Sequence, residues 1–114
     1  MLSNDIDIEI LKSQIVEALK PLNPDKIILF GSYAYGTPNE DSDIDLYIVT
    51  NDNFMPKTWK EKSNIYLQYS KKLRNFQKII PIDLIVHTQE MYKKFVEFDS
   101  SFYKHSILKG KRLC

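Results

Sequence analysis

The architecture of this chain follows from Ile27-Ile28-Leu29-Phe30-Gly31-Ser32 and, after ten residues, Asp43-Ile44-Asp45-Leu46-Tyr47-Ile48-Val49. Both apolar runs have the length of a buried strand, and the polar residues between them are typical of a turn. Gly31 and Ser32 therefore fall where the first strand ends, and backbone N–H groups that open the next turn can face an anion there. Glycine has no side chain to hold a phosphate away from the backbone, and the Ser32 hydroxyl can donate to a phosphate oxygen.

Two carboxylates open the second apolar run. Asp43 and Asp45 are two residues apart, so in a strand they project from one face while Ile44 and Leu46 project from the other. Two carboxylates about 5 Å apart at an effective dielectric constant of about 20 repel by roughly 3 kcal/mol. A divalent cation removes this repulsion, and a small set of oxygen ligands that leaves room for water and phosphate is typical of magnesium. The pair therefore predicts a magnesium site.

A third acid lies in a later apolar run, Ile79–Val86, which we interpret as another strand. Asp83 is the single charge in this run, and a carboxylate in such surroundings needs a partner or a function. If this strand lies beside the one that carries Asp43 and Asp45, Asp83 can reach the same metal. It can also take a proton from an attacking hydroxyl, which is the work of a general base.

Each of these motifs also has a purely structural interpretation. Gly31-Ser32 by itself is a common turn dipeptide, and Asp45 could be a half-buried strand residue paired with a lysine. His87 and His105 have no partner at ligand spacing and are expected to be strand-end or surface residues. The combination of a glycine corner, paired acids and Asp83 favours catalysis over these interpretations.

Length and composition indicate one compact domain, residues 1–114, with a net charge of +1 and a single cysteine, Cys114. One cysteine cannot form a disulfide within the chain, which is consistent with a reducing compartment. The sequence shows neither a leader pattern nor an apolar run of bilayer length, so we expect a cytoplasmic protein without membrane attachment. The near-neutral charge gives little reason to expect binding to nucleic acid.

The glycine corner, the ten-residue spacer, the Asp43/Asp45 pair and the later Asp83 resemble the nucleotidyltransferase superfamily related to DNA polymerase beta. Residues 31–38 and 41–46 resemble its minimal nucleotidyltransferases, short prokaryotic proteins that often act as antitoxins beside a HEPN-type ribonuclease toxin. The resemblance spans nearly the whole chain, including a last helix that stops at Gly110 before a short extended segment. Many relatives carry arginine where this chain has Tyr35, so one triphosphate contact differs.

The resemblance implies a function for each of these residues. Gly31 and Ser32 would hold the phosphates of ATP, Asp43 and Asp45 would coordinate Mg²⁺, and Asp83 would be the third metal ligand or the base. The reaction would be transfer of AMP, with two Mg²⁺ ions, to a hydroxyl of a HEPN-type toxin protein, and a homo-oligomer is possible. The alternatives are transfer to a small molecule such as an aminoglycoside, or a non-catalytic module that binds nucleotide or masks a partner.

The periodicity of apolar residues predicts an α/β (α+β) fold with a small mixed sheet covered by helices. The resemblance implies that this fold is a nucleotidyltransferase-like core. One expected helix, residues 56–75, places Trp59, Tyr66, Tyr69 and Leu73 on one buried stripe. The other expected elements are helices over residues 1–20, 33–36, 89–98 and 101–109, strands over 26–30, 44–49 and 79–86, and a polar loop over 37–42.

Overall fold

The computed structural model describes residues 8–35, 43–98 and 101–114, with the side chain of Tyr35 excepted. In this part of the chain, four strands form one mixed sheet. The strands are β1 (Lys26–Phe30), β2 (Ile44–Val49), β3 (Ile82–His87) and β4 (Lys111–Arg112). The predicted bounds of β1 and β2 are confirmed, and the predicted loop over residues 37–42 lies outside the described residues.

Helices connect and cover these strands. The helices are α1 (Ile8–Leu19), α2 (Ser32–Tyr35), α3 (Trp59–Lys72), α4 (Arg74–Gln77) and α5 (Gln89–Phe98). A 3₁₀ turn, Lys20–Leu22, contains Pro21 and follows the end of α1 at Leu19, and a π-helical turn, Tyr103–Ile107, precedes β4. None of the helices in the described ranges has the length and apolar character needed to cross a bilayer.

The sheet has the strand order β3-β2-β1-β4. β1 runs antiparallel to both β2 and β4, whereas β2 and β3 run parallel. The carboxyl end of β1 and the amino ends of β2 and β3 therefore meet at one edge of the sheet. This topology confirms the predicted mixed sheet and brings the glycine corner and all three acids to the same place.

The two faces of the sheet carry different cores. On one face, aliphatic strand residues pack against α1 and α3, and we call this the aliphatic face. Its buried members include Leu11, Ile15, Leu19, Ile27, Leu29, Ile44, Leu46, Ile48, Ile65, Tyr69 and Leu73. The other, the aromatic face, packs against α5 and the π-helical turn through Ile28, Phe30, Tyr47, Val49, Tyr92, Phe95, Tyr103 and Ile107. Alternation along β1 and β2 assigns successive side chains to opposite cores.

Two expectations for the segment that joins β2 to β3 are wrong. Trp59 is 82% exposed and Tyr66 is 40% exposed, whereas Tyr69 and Leu73 are buried as predicted. The buried stripe of α3 instead begins at Ile65 and recurs every four residues, so Tyr66 lies on the flank of the helix and Trp59 in its first turn. The second wrong expectation is the start of β3, which was predicted at residue 79 and lies at Ile82. The chain is still turning after α4, because Ile80 N–H donates to the carbonyl of Phe76.

Candidate active site

A single rung of the sheet carries the centre of the candidate site. Phe30 of β1 is in register with Asp45 of β2, which is in register with Asp83 of β3. Side chains in register point to the same face, so both carboxylates project from the aromatic face at its end. The expected adjacency of the two acid-bearing strands is confirmed. The catalytic and metal-binding functions of the acids remain predictions.

Asp45 and Asp83 are in hydrogen-bonding contact through their carboxyl groups. Burial, which is the largest cause, acts together with the negative charge of Asp83, the hydrogen bond to Asp83 and the negative charge of Asp43 to raise the pKa of Asp45 to about 6. In the described part of the chain, no lysine or arginine forms an ion pair with Asp45. The lysine-paired interpretation of Asp45 is therefore wrong, and the pair of acids carries an electrostatic penalty that a cation would relieve.

Gly31 is required at its position because Asp45 approaches it closely. Gly31 has a φ of +74°, a left-handed conformation that side chains with a Cβ rarely adopt. A Cβ at this position would collide with Oδ2 of Asp45 and would come within 3.1 Å of its Cγ. The glycine corner therefore passes directly over the carboxylate, which places its backbone beside the acid pair.

Asp43 precedes β2 at the same edge and is partly buried, and its charge acts on Asp45. Among residues 8–35, 43–98 and 101–114, no three carboxylate, imidazole or thiol side chains are grouped in the arrangement of a metal site. The direct contact is thus between Asp45 and Asp83, with Asp43 as a charged neighbour. Carboxylate oxygens are the ligands that magnesium prefers, and the repulsion between the paired acids fits a cation at this point.

Ser32 follows Gly31 at the start of α2 and is partly buried. The Gly31 carbonyl accepts from Ala34 N–H at 3.0 Å, which fixes the turn that presents Ser32. Tyr33 packs against the aliphatic core, so its interpretation as a packing residue is supported. The side chain of Tyr35, the position at which many relatives carry arginine, lies outside the described atoms.

An aromatic wall borders the acid pair on the same sheet face. Phe30, in register with Asp45, contacts Phe102 edge to face with ring centroids 5.5 Å apart. In the middle of this face, the Tyr47 hydroxyl lies 2.7 Å from Nδ1 of His87. Burial and the positive charge of Lys62 lower the pKa of His87 to about 4, and burial raises the pKa of Tyr47. His87 is therefore neutral, and its Nδ1 shares a hydrogen bond with the Tyr47 hydroxyl.

The sequence reasoning placed His87 at a strand end but missed its bond to Tyr47. The signal is the period of two, because Tyr47 follows Asp45 by two residues and His87 follows Asp83 by four. All four side chains therefore share one face of the sheet. Tyr47 and His87 lie further along the same face than the acid pair, and Tyr47 is fully buried there.

Comparisons with known proteins agree with this geometry. The profile of the nucleotidyltransferase domain family matches residues 12–114. A protein of Methanocaldococcus jannaschii named "putative protein adenylyltransferase" is 33% identical over 88 residues, which cover 77% of this chain and 76% of that protein. A crystal structure of a toxin–antitoxin with AMP-PNP is similar in fold, with a TM-score of 0.50 and 22% identity over 82% of this chain and 87% of the other.

The family match includes every residue of the candidate site, from Gly31 to Asp83. The four-stranded mixed sheet and its helices, over the described residues, form a fold consistent with that family. The chain belongs to the nucleotidyltransferase domain family and is a nucleotidyltransferase.

Proposed function

We propose that this protein transfers AMP from ATP, with magnesium, to a hydroxyl group of a partner protein. The observation that carries this proposal is the contact between Asp45 and Asp83 beneath the Gly31 corner. The relative from Methanocaldococcus jannaschii, which is named "putative protein adenylyltransferase", supports AMP as the transferred group and a protein as the acceptor.

The candidate site has one group of residues for the phosphates of ATP and another for magnesium. The backbone at Gly31 and the hydroxyl of Ser32 bind the phosphates of ATP, because this corner lies beside the acids and has no side chain in the way. Asp43, Asp45 and Asp83 would hold magnesium, as two ions. When bound, magnesium supplies positive charge that stabilises the entering and departing oxygens of the phosphoryl group.

The reaction forms one bond and breaks one bond at the α-phosphorus. The acceptor hydroxyl oxygen attacks this phosphorus in line, and the bond between it and the oxygen bridging to the β-phosphate breaks. Pyrophosphate leaves with that bridging oxygen and its electron pair. Asp83 takes the proton of the hydroxyl and releases it to solvent, which is the action of a general base.

The partner we propose is a HEPN-type ribonuclease toxin, so that the transfer would make this protein an antitoxin. The fold similarity to a toxin–antitoxin crystallised with AMP-PNP is consistent with this assignment. The family resemblance in residues 31–38 and 41–46 points to the same class of partner.

The test is incubation of the purified protein with α-³²P-labelled ATP, magnesium and the product of the neighbouring gene. We expect label on the partner, and loss of labelling in Asp43→Asn and Asp83→Asn. Asp25→Asn is the matched control, since Asp25 precedes β1 at the opposite edge of the sheet and pairs only with the neighbouring Lys26 among the described residues. Labelling that persists in Asp43→Asn would remove its assigned metal function, and neutralisation of the partner without any labelling would favour masking.

A further inference from the structure

β3 forms an edge of the described sheet and pairs only with β2. The ladder contacts fix which way its backbone points. Ile44 N–H donates to the carbonyl of Pro81 at 3.0 Å, and Thr50 N–H donates to the carbonyl of His87 at 2.8 Å. Odd-numbered residues of β3 therefore face β2, and the N–H and C=O groups of the even-numbered residues point away from the sheet.

Gln77 demonstrates this outward direction at the first residue of the strand. Its side-chain amide donates to the Ile82 carbonyl and accepts from Ile82 N–H, both at 2.9 Å. One side chain thus makes the pair of bonds that a neighbouring strand would make. Leu84 and Val86, the next outward residues, have no such partner within the described residues, so two further backbone donor and acceptor pairs are unpaired there.

A groove of about 340 Å³ runs between this edge and α3. Trp59, Lys62, Ser63 and Tyr66 line its helical side. Trp59 and Tyr66 offer exposed aromatic surface, and Lys62 makes no ion pair with any described residue. The groove therefore combines apolar contact area with one unneutralised positive charge.

An extended peptide that pairs with β3 would project successive side chains alternately towards the Asp45/Asp83 pair and towards the α3 groove. Neighbouring strands lie about 4.8 Å apart, and side chains in register share a face. A peptide residue in register with Asp83 would project beside the Asp45/Asp83 pair. A residue three positions along, in register with Val86, would project from the opposite face, towards the α3 groove and Lys62.

We propose that the acceptor is an extended peptide segment of the partner that adds to the outer edge of β3, which no other described strand covers. Its serine, threonine or tyrosine hydroxyl lies in register with Asp83, and an acidic residue three positions away pairs with Lys62. This inference rests on the function proposed above, and the covalent step is the same transfer to the α-phosphorus. Main-chain bonds at Leu84 and Val86 supply affinity, and the groove supplies specificity.

The first test uses synthetic extended peptides that contain one hydroxyl residue and a glutamate three positions from it, labelled by the wild-type protein with ATP and magnesium. In a series of these peptides, one backbone amide is N-methylated at a time, at each position in turn. We expect a period of two, because alternate N–H groups face β3, with each facing position lowering kcat/KM about threefold to tenfold. Equal effects at successive positions, or labelled partner protein with unlabelled peptides, would overturn the proposal.

The second test compares two charge reversals on α3. Lys62→Glu should raise KM for the glutamate peptide about fivefold and favour the matching lysine peptide. Lys72→Glu, an exposed lysine near the other end of the same helix, is the control and should change neither. Equal KM values for the two variants would contradict the inference. If the wild-type protein labels neither peptide nor partner, the proposed function itself fails, which is a distinguishable result.

Discussion

The two faces of the sheet use the same strands for different purposes. The aliphatic face is filled by apolar side chains along the whole length of β1 and β2, and helices α1 and α3 close it. The aromatic face has a similar apolar centre, but its rung at the active-site edge consists of Phe30, Asp45 and Asp83. Successive side chains of one strand therefore serve either the stability of the fold or the chemistry of the site, according to the face on which they lie.

Asp45 and Leu46 are consecutive in β2 but lie on opposite faces of the sheet, and the larger effect on activity is expected for Asp45. We expect Asp45→Asn to lower transfer by about a hundredfold to ten-thousandfold, because it removes a charge needed at the reacting centre. Its free energy of unfolding at pH 7 without metal should rise, since a carboxylate beside Asp83 is lost. Single-turnover labelling and urea denaturation measure the two quantities, and a stability loss that accounts for the lost activity would contradict this separation.

Leu46→Ala should do the opposite. Leu46 is fully buried on the aliphatic face, so its truncation should lower the free energy of unfolding by about 2–5 kcal/mol. Activity per folded molecule should stay near that of the wild type, because the side chain points away from the acids. Denaturation curves together with labelling at low temperature test this expectation, and a specific loss of transfer in the folded variant would show that the faces are coupled.

Gly31→Ala should affect both stability and the site. The alanine would hold a positive φ and press its Cβ against the Asp45 carboxylate, which should cost about 1–3 kcal/mol of stability. Magnesium-dependent nucleotide binding should weaken as Asp45 is displaced. Gly110→Ala is a useful comparison, since its Cβ would approach Ile28 and the Leu29 carbonyl at 2.7 Å, and its three nearest neighbours include neither acid. Equal effects of the two variants on nucleotide binding would contradict the specific role of Gly31.

The pH dependence of stability should separate Asp45 from His87. In EDTA, the raised pKa of Asp45, about 6 against 3.8, means that the folded state holds the extra proton, so stability falls as pH rises from about 4 to 6. The lowered pKa of His87, about 4 against 6.5, contributes stability that is present above pH 6.5 and lost as pH falls towards 4. Asp45→Asn should therefore show a steeper rise of stability with pH than the wild type. Parallel curves for the two proteins would show that Asp45 is not perturbed.

Tyr47→Phe is the smallest expected change. It removes the hydroxyl that is hydrogen-bonded to Nδ1 of His87, which should cost about 1 kcal/mol of stability. A hydroxyl that donates to Nδ1 would stabilise neutral His87, so we expect its loss to raise the pKa of His87 from about 4, as followed by NMR titration of the ring. Transfer should be nearly unchanged. An unaltered His87 pKa would show that the bond does not hold the neutral form.

The alternation of side chains with a period of two allowed part of this site to be predicted from the sequence. The bounds of β1 and β2 and the common edge of the acids follow from the apolar runs and the glycine corner. The contact between Gly31 and Asp45 did not follow, because it depends on how closely two strands approach. The burial of Trp59 and Tyr66 was predicted wrongly because helical spacing does not fix how α3 is rotated against the sheet. The start of β3 was predicted too early because the sequence does not show that the turn after α4 includes Ile79 and Ile80.

The most direct test of the account is isothermal titration calorimetry of a non-hydrolysable ATP analogue, with and without magnesium, on the wild type and on Asp83→Asn. The account predicts binding that requires magnesium in the wild type and is lost or weakened at least about tenfold in the variant. Binding of equal strength in both proteins, independent of magnesium, would contradict the assignment of the Asp45/Asp83 pair as the metal-holding centre.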